Sequence, residues 1–408
     1  MMKAFILAAG KGTRMMPLTS NTPKPLLPVA GKPILQHTID ILEDRLDEII
    51  ILVGWQAKRL KDELHSKKAE LRYVRQDELL GTADAVNNAR KYIDDDFICM
   101  NGDVIISENT LHDFIDYFKK EDSCVMSLAE VEDPSSFGVV IKEGGVVKDI
   151  LEKPEEPPSN MVNAGLYGFT KEIFDAIDET EKSPRGEYEI TDSLKILMDE
   201  STLRGFDIEK NNWFEMSRPW DLLSTNKYML SNGFIEEKRE GKIEDGVHLE
   251  GFVRVEKDAH IKQGAYIKGP VYIGEGADIG PNCLVRAHTY IGKNCKVGNA
   301  VEVKNSIIME NTNVPHHNYV GDSVLGRDCN LGSGTKVANL RLDEKNIIVT
   351  HRGEKVDTGR RKLGVIMGDR VKTGINSMMN TGTIIGEGTF IGPGALANGE
   401  IGEESKIQ

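Results

Sequence analysis

The chain has 408 residues, 39% of them apolar and 28% charged, which is long enough for two or three domains with sizeable cores. Lys and Arg number 51 against 65 Asp and Glu, a net charge of −14, so DNA or RNA is excluded as a main partner and any anion site must be local. No apolar run reaches membrane length and MMKAFILAAG carries no cleavage pattern, while five cysteines without a CxxC spacing fit a reducing cytoplasm as small core residues.

Residues 1–226 read as alternating strands and helices. Strands are expected at Lys3–Ala8, Glu48–Val53, Phe97–Met100 and Ser123–Glu130. Between the first two, Pro33–Glu43 carries Ile34, Leu35, Thr38, Ile39 and Leu42 at helical spacing. That order implies an α/β domain with a Rossmann-like mixed sheet, mostly parallel and covered on both faces. Ligands of such sheets bind beyond the carboxyl ends of the strands, where Gly10-Lys11-Gly12-Thr13-Arg14 falls. A dinucleotide fingerprint would need Gly or Ala where Met15 stands, and a Walker loop would need Lys-Ser/Thr after its second Gly. What remains is a glycine-rich turn with Thr13, Arg14 and Lys24 nearby in sequence. Its backbone N–H groups can cradle phosphate oxygens. A bare turn with solvated cations fits these residues equally well.

From Leu249 every sixth residue is aliphatic: Val255, Ile261, Ile267, Ile273, Ile279, Val285, Ile291, Val297 and Val303. Two places before each lies a mostly small or β-branched residue, Cys283 and Cys295 among them. No α-helix keeps a six-residue register on one face, whereas a triangular parallel β-helix does. The phase slips after Val303, residues 340 to about 363 break the pattern as an inserted loop, and it resumes at Ile385, Ile391 and Ile401. Trp220–Glu240 reads as a connecting helix. The expected domains are therefore 1–226, a linker helix over 227–244, and a β-helix over 245–408.

The segment LAAGKGTRMMPLT…PKPLLPVAGKPIL resembles the signature of the sugar-1-phosphate nucleotidylyltransferases, and QDELLGTADAV, NGDV, FGVV, LEKP and NAGLYGF follow in order. The resemblance covers essentially residues 1–230. It implies a nucleoside triphosphate held by Leu7, Ala9, Gly10, Gly12 and Thr13, with Gln76, Gly81 and Thr82 on the base. Arg14 and Lys24 would act on the phosphates, Lys153 on the sugar phosphate, and Gly138, Glu152 and Asn163 on the sugar. Asp103 is the implied Mg²⁺ ligand, a carboxylate being suited to a hard cation. Relatives often read W-x-D-x-G-x-P-W-D where this chain has WFEMSRPWD, so Glu215 would be the second ligand with a longer arm. Asp221 is expected to cap the helix that follows.

SIIMENTNVPHHNYVGDSVLG, with NLRLDEKN inside the loop, resembles the acetyltransferase domain of the bifunctional amino-sugar-1-phosphate enzymes, a left-handed β-helix. Position by position, His316 matches the general base and Arg286, Lys304 and Tyr319 match substrate contacts. Asn339 and Lys345 match loop residues that complete the site. Acetyl-CoA would be the co-substrate. No metal is needed, because a base for the amine proton and donors for the oxyanion suffice. GRRKLG (359–364) returns from the loop with cations that could serve phosphate or CoA.

The resemblance thus implies a cytoplasmic, homotrimeric enzyme without nucleic-acid or membrane partners. It would acetylate glucosamine-1-phosphate and then form UDP-N-acetylglucosamine from UTP. UTP and dTTP are not separated by the sequence, nor glucosamine from galactosamine or glucose phosphates. Two rivals remain: a single-activity glucose-1-phosphate nucleotidylyltransferase with a structural β-helix, and a non-catalytic regulatory subunit of the same architecture. Intact Arg14, Lys24, Asp103 and Lys153 speak against the latter, and His316 with Asn339 and Lys345 against the former.

Overall fold

The computed structural model describes residues 2–408 and divides into two compact units. The first takes in residues up to 11, 23–26 and 33–215; the second takes 12–22, 27–32 and 216–408.

The first unit is built on a nine-stranded sheet. Its strand order is Glu70–Arg75, Glu48–Val53, Lys3–Ala8, Phe97–Asn101, Met161–Phe169, Val125–Glu130, Arg204–Asp207, Val146–Glu152 and Gly138–Glu143. The first four run parallel, and Met161–Phe169 lies antiparallel to both neighbours, giving a mixed sheet. The run Ile49–Val53 is buried throughout, as a strand covered on both faces requires. Alternate residues feed two cores: Ile49, Ile51 and Val53 pack on one face, Ile50 and Leu52 on the other. The first helix is Ile34–Leu42, one residue shorter at each end than its periodicity suggests. The strand expected from Ser123 begins at Val125, and the one from Phe97 continues to Asn101. A small two-stranded sheet pairs Trp213–Glu215 with Val104–Ile106, Glu215 opposite Val104.

The second unit is a parallel β-helix. Leu249 pairs with Ile267, Val255 with Ile273 and Ile261 with Ile279, so each coil takes 18 residues and each side six. The phase slip after Val303 is a coil shortened to 17, with Ile291 opposite Ile308, Val297 opposite Val314 and Val303 opposite Val320. The repeating aliphatics from Val255 to Ile391 form one buried core, with Leu249 and Ile401 partly exposed at its two ends. Cys283, Cys295 and Cys329 sit within it, their thiols pushed up to about 12 by burial, which leaves them unreactive core residues. The insertion folds as a hairpin, Ile348–His351 with Glu354–Asp357, and the coil resumes at Val365–Met367.

Ahead of the coils the connecting helix spans Asp221–Ser231: it begins where the expected Trp220–Glu240 helix does but stops well before Glu240, so only residues 227–231 of the expected 227–244 linker helix are helical. Asn232 and Gly233 follow, and Gly233 at φ 78 takes the left-handed turn that ends helices. Trp220 occupies the cap position without a side-chain cap, and the Asp221 carboxylate accepts the Arg218 backbone N–H at 2.6 Å. No helix among the described residues is long and apolar enough to cross a membrane.

Candidate active sites

In the first unit the carboxyl ends of Lys3–Ala8 and Phe97–Asn101 meet. The Gly102 N–H donates to the Leu7 carbonyl at 2.9 Å, and a Cβ on Gly102 would itself lie 2.9 Å from that oxygen. Asp103 follows, its carboxylate in an ion pair with the Lys24 ammonium. Because Glu215 lies opposite Val104, it sits one residue from Asp103 across the small sheet. The donor set suits a small hard cation: Glu215 on a strand and Asp103 in the turn just before the strand paired with it, leaving coordination positions for phosphate oxygens and water. No group of three or more His, Cys, Asp or Glu side chains among the described residues forms a metal cage.

Further along the same sheet, Gly138, Glu152 and Asn163 come together. A Cβ on Gly138 would lie 3.4 Å from Glu152 Oε2 and 3.7 Å from Asn163 Cβ. Glu152 accepts from Arg185 at 3.1 Å and from the Thr191 hydroxyl at 3.4 Å, and Lys153 Nζ stands 3.3 Å from its Oε1. Arg185 and Thr191 escaped sequence reading, since neither belongs to a quoted motif and both arrive from the Ser183–Thr191 stretch only on folding. Gln76 donates to Asp84 at 2.9 Å, and Thr82 Oγ1 accepts the Ile190 N–H at 2.8 Å. Gly81 holds φ 125, with Tyr188 backbone atoms where a Cβ would go, so only glycine fits. Leu7 ends in the sheet, while Gly10 is exposed with no atom within 4 Å of a would-be Cβ, leaving its backbone open to a ligand.

Gly12, Thr13 and Arg14 belong to the second unit. Gly12 adopts φ 63 at the start of the 3₁₀ turn Thr13–Met15, and its carbonyl accepts the Thr19 hydroxyl at 2.8 Å. Arg14 projects exposed from that turn.

The acetyl-acceptor candidates lie on successive coils of the second unit. The Arg286 N–H donates to the Val303 carbonyl and Lys304 pairs with Gly321, which stacks Arg286, Lys304 and Gly321 in one column. Lys304 Nζ lies 3.0 Å from Asp322 Oδ2, which also accepts from the Asn339 side chain. Asn305 donates to Asp322 Oδ1 at 2.7 Å. A Cβ on Gly321 would sit 2.7 Å from the Tyr319 hydroxyl and 2.8 Å from Asn339 Nδ2, so those two groups share one small space. Asp322, only 4% exposed, is thus the hub that gathers the inserted loop and the preceding coils. It stands in the quoted YVGDS, yet as one turn residue at φ 51 it gave no signal of its own. Arg286 pairs with Glu302 at 2.8 Å, and His316 is exposed at the end of Asn313–His316. Among the described residues, neither makes a hydrogen bond or ion pair with the Asp322 cluster, whose partners are Lys304, Asn305 and Asn339. Lys345 is exposed, its backbone N–H 3.3 Å from Asp343 Oδ1, and stays apart from that cluster.

Beside Asp322 opens a cavity of about 510 Å³, lined by Lys227, Asn305, Leu340, Glu344, Arg360, Arg361 and Lys362, with Glu344 paired to Arg361 at 2.6 Å. Arg360 Nε and Asn305 Oδ1 are buried there without hydrogen-bond partners. Burial lowers the Arg360 guanidinium from its usual pKa against the pull of Asp322 and Asp221. Asp322→Asn should therefore lower acetyl transfer about 10- to 100-fold, the worth of hydrogen bonds to a charged group, measured as CoA release. Pyrophosphate release should stay unchanged in the same preparation.

Residues 3–232 match the family model described as Nucleotidyl transferase, and residues 267–401 match the one described as GMPPB C-terminal domain. The chain belongs to the nucleotidyl transferase family and is an enzyme of it. Over its full length it is 43% identical to a "Bifunctional protein GlmU" of Methanocaldococcus jannaschii, covering 98% of this chain and 96% of that one. It is 37% identical to a "Bifunctional sugar-1-phosphate nucleotidylyltransferase/acetyltransferase" of Sulfurisphaera tokodaii, covering 98% of each. A crystal structure of UDP-glucose pyrophosphorylase complexed with UDP-glucose superposes with a TM-score of 0.51 at 25% identity, over 55% of this chain and 97% of that one.

Proposed function

We propose that the enzyme acetylates glucosamine-1-phosphate with acetyl-CoA and transfers UMP from UTP to the resulting N-acetylglucosamine-1-phosphate. The products are UDP-N-acetylglucosamine and pyrophosphate. The observation that supports the double activity is the Asp322 hub, where Asn339, one coil on and just before the insertion, meets the same carboxylate as Lys304.

In the acetyl step, His316 takes a proton from the acceptor amine as nitrogen attacks the thioester carbonyl, and CoA leaves as the thiol. Lys304, Tyr319 and Asn339 hold the acceptor, and the cationic cavity of Arg360, Arg361 and Lys362 takes its phosphate, satisfying the unpaired Arg360 Nε. In the nucleotidyl step, a sugar-phosphate oxygen attacks the α-phosphorus in line. Arg14 and Lys24 counter the charge on the departing pyrophosphate, and Lys153 holds the attacking phosphate. Asp103 and Glu215 would hold Mg²⁺, which supplies charge neutralisation at the phosphates. Lys24 would exchange Asp103 for the nucleotide phosphates on binding.

Exposed Ile375, Met378 and Leu396 on the last coils, with Met378 directly opposite Leu396, supply an apolar face for the trimer we also propose. The cytoplasm is the compartment that fits the five unpaired thiols. The alternative is a single-activity nucleotidylyltransferase with a structural β-helix. A panel crossing glucosamine-, galactosamine- and glucose-1-phosphate with UTP, dTTP and acetyl-CoA separates the two. CoA release with an amino-sugar phosphate is the expected result; its absence with every acceptor would leave only the nucleotidyl activity.

A further inference from the structure

The segment Gly12–Thr22 packs within the second unit, and β-helix side chains hold it there. Arg327 donates to the Thr22 hydroxyl, Glu387 accepts from the Asn21 side chain, and Ser20 donates to Glu403 at 2.7 Å. The innermost of these anchors is His351, only 1% exposed, at the turn of the inserted hairpin. Its Nδ1 lies 3.1 Å from an Arg218 guanidinium nitrogen and its Nε2 lies 2.9 Å from the Met16 carbonyl. A guanidinium can only donate and a carbonyl can only accept. The ring must therefore accept at Nδ1 and donate at Nε2, a single neutral tautomer. The Trp220 ring stands edge-on at 5.8 Å and restricts rotation.

Met16 closes the turn that presents Arg14, its N–H reaching the Thr13 carbonyl at 3.4 Å while Met15 N–H reaches Gly12 at 2.9 Å. We infer that His351 is a positioning residue for nucleotidyl transfer: through the Met16 carbonyl it sets the turn carrying Arg14. This rests on the reading of Arg14 as a phosphate-binding group.

A pH dependence follows. Burial lowers the His351 pKa from its ordinary value of about 6.5, the Met16 carbonyl and Glu400 oppose that, and Arg218 and Arg352 add to it. A histidine with a lowered folded pKa holds its neutral clamp above the unfolded value and loses it as pH falls through the folded one. Protonated Nδ1 would face the Arg218 cation and could no longer accept.

The test uses the full chain with UTP and N-acetylglucosamine-1-phosphate. His351→Ala is expected to lower kcat for pyrophosphate release about tenfold, the worth of one buried hydrogen bond, with CoA release nearly unchanged at a temperature where the variant stays folded. His351→Gln, whose amide can donate and accept as the two ring nitrogens do, should recover most of that loss. Wild type should lose nucleotidyl transfer on acidification below pH 6.5 along a limb that the Gln variant lacks. Equal losses of both activities in His351→Ala, or identical pH profiles for wild type and His351→Gln, would overturn the inference. Should the Ala variant not fold, the Gln profile decides. Arg14→Ala is run beside these: no loss there refutes the role of Arg14, whereas a deep loss there with an unaffected His351→Ala refutes only the clamp.

Discussion

Asp103→Asn is expected to eliminate pyrophosphate release, a loss on the order of 10²–10³-fold or more, because the carboxylate that pairs with Lys24 is also the one proposed to hold the metal. EDTA should do the same to wild type while CoA release continues. The division follows from the chemistry: charge builds on a departing pyrophosphate in one reaction, whereas acetyl transfer needs only a proton acceptor and oxyanion donors. Equal sensitivity of both activities to EDTA would sink it. Glu215→Asp should preserve or raise nucleotidyl transfer if Glu215 holds the ion from its position opposite Val104. A strong loss would mean that the longer side chain has become part of the site.

His316→Ala should lower acetyl transfer about 10²–10⁴-fold, the range for removing a general base, and leave UTP-dependent pyrophosphate release intact. His317 is the internal control. The strand ends at His316, and His317 occupies a corner at φ 54 where its carbonyl accepts from Lys336. His317→Ala removes a side chain from a turn and should cost far less. If the two variants lose CoA release alike, His316 is not the base.

The parts of this protein legible in its sequence are those that depend on neighbours along the chain. A strand buried on both faces must be a continuous aliphatic run, and Ile49–Val53 is one. A six-residue side must put one aliphatic inward at each step, so the coil and even its shortening after Val303 can be counted off the residues. Motif residues that touch the backbone, such as Gly81 against Tyr188, carry a steric signature too. The connecting helix misled because its charged continuation over 234–240 does not by itself oppose helix, whereas Gly233 stops it.

What the sequence by itself determined, then, is the pair of folds and the inventory of chemically capable side chains. The tertiary structure decided which of them meet. Asp322 gathers Lys304, Asn305 and Asn339 only because successive coils stack residues 17 or 18 apart, and it does so while Lys345 stays outside. Residues 12–22 join the second unit, and His351 reaches Met16 across 335 positions, because a buried imidazole must find one donor and one acceptor. Local patterning sets the period of burial, but a buried polar group is satisfied by whatever partner the packed chain brings within 3 Å, and no sequence interval encodes that choice.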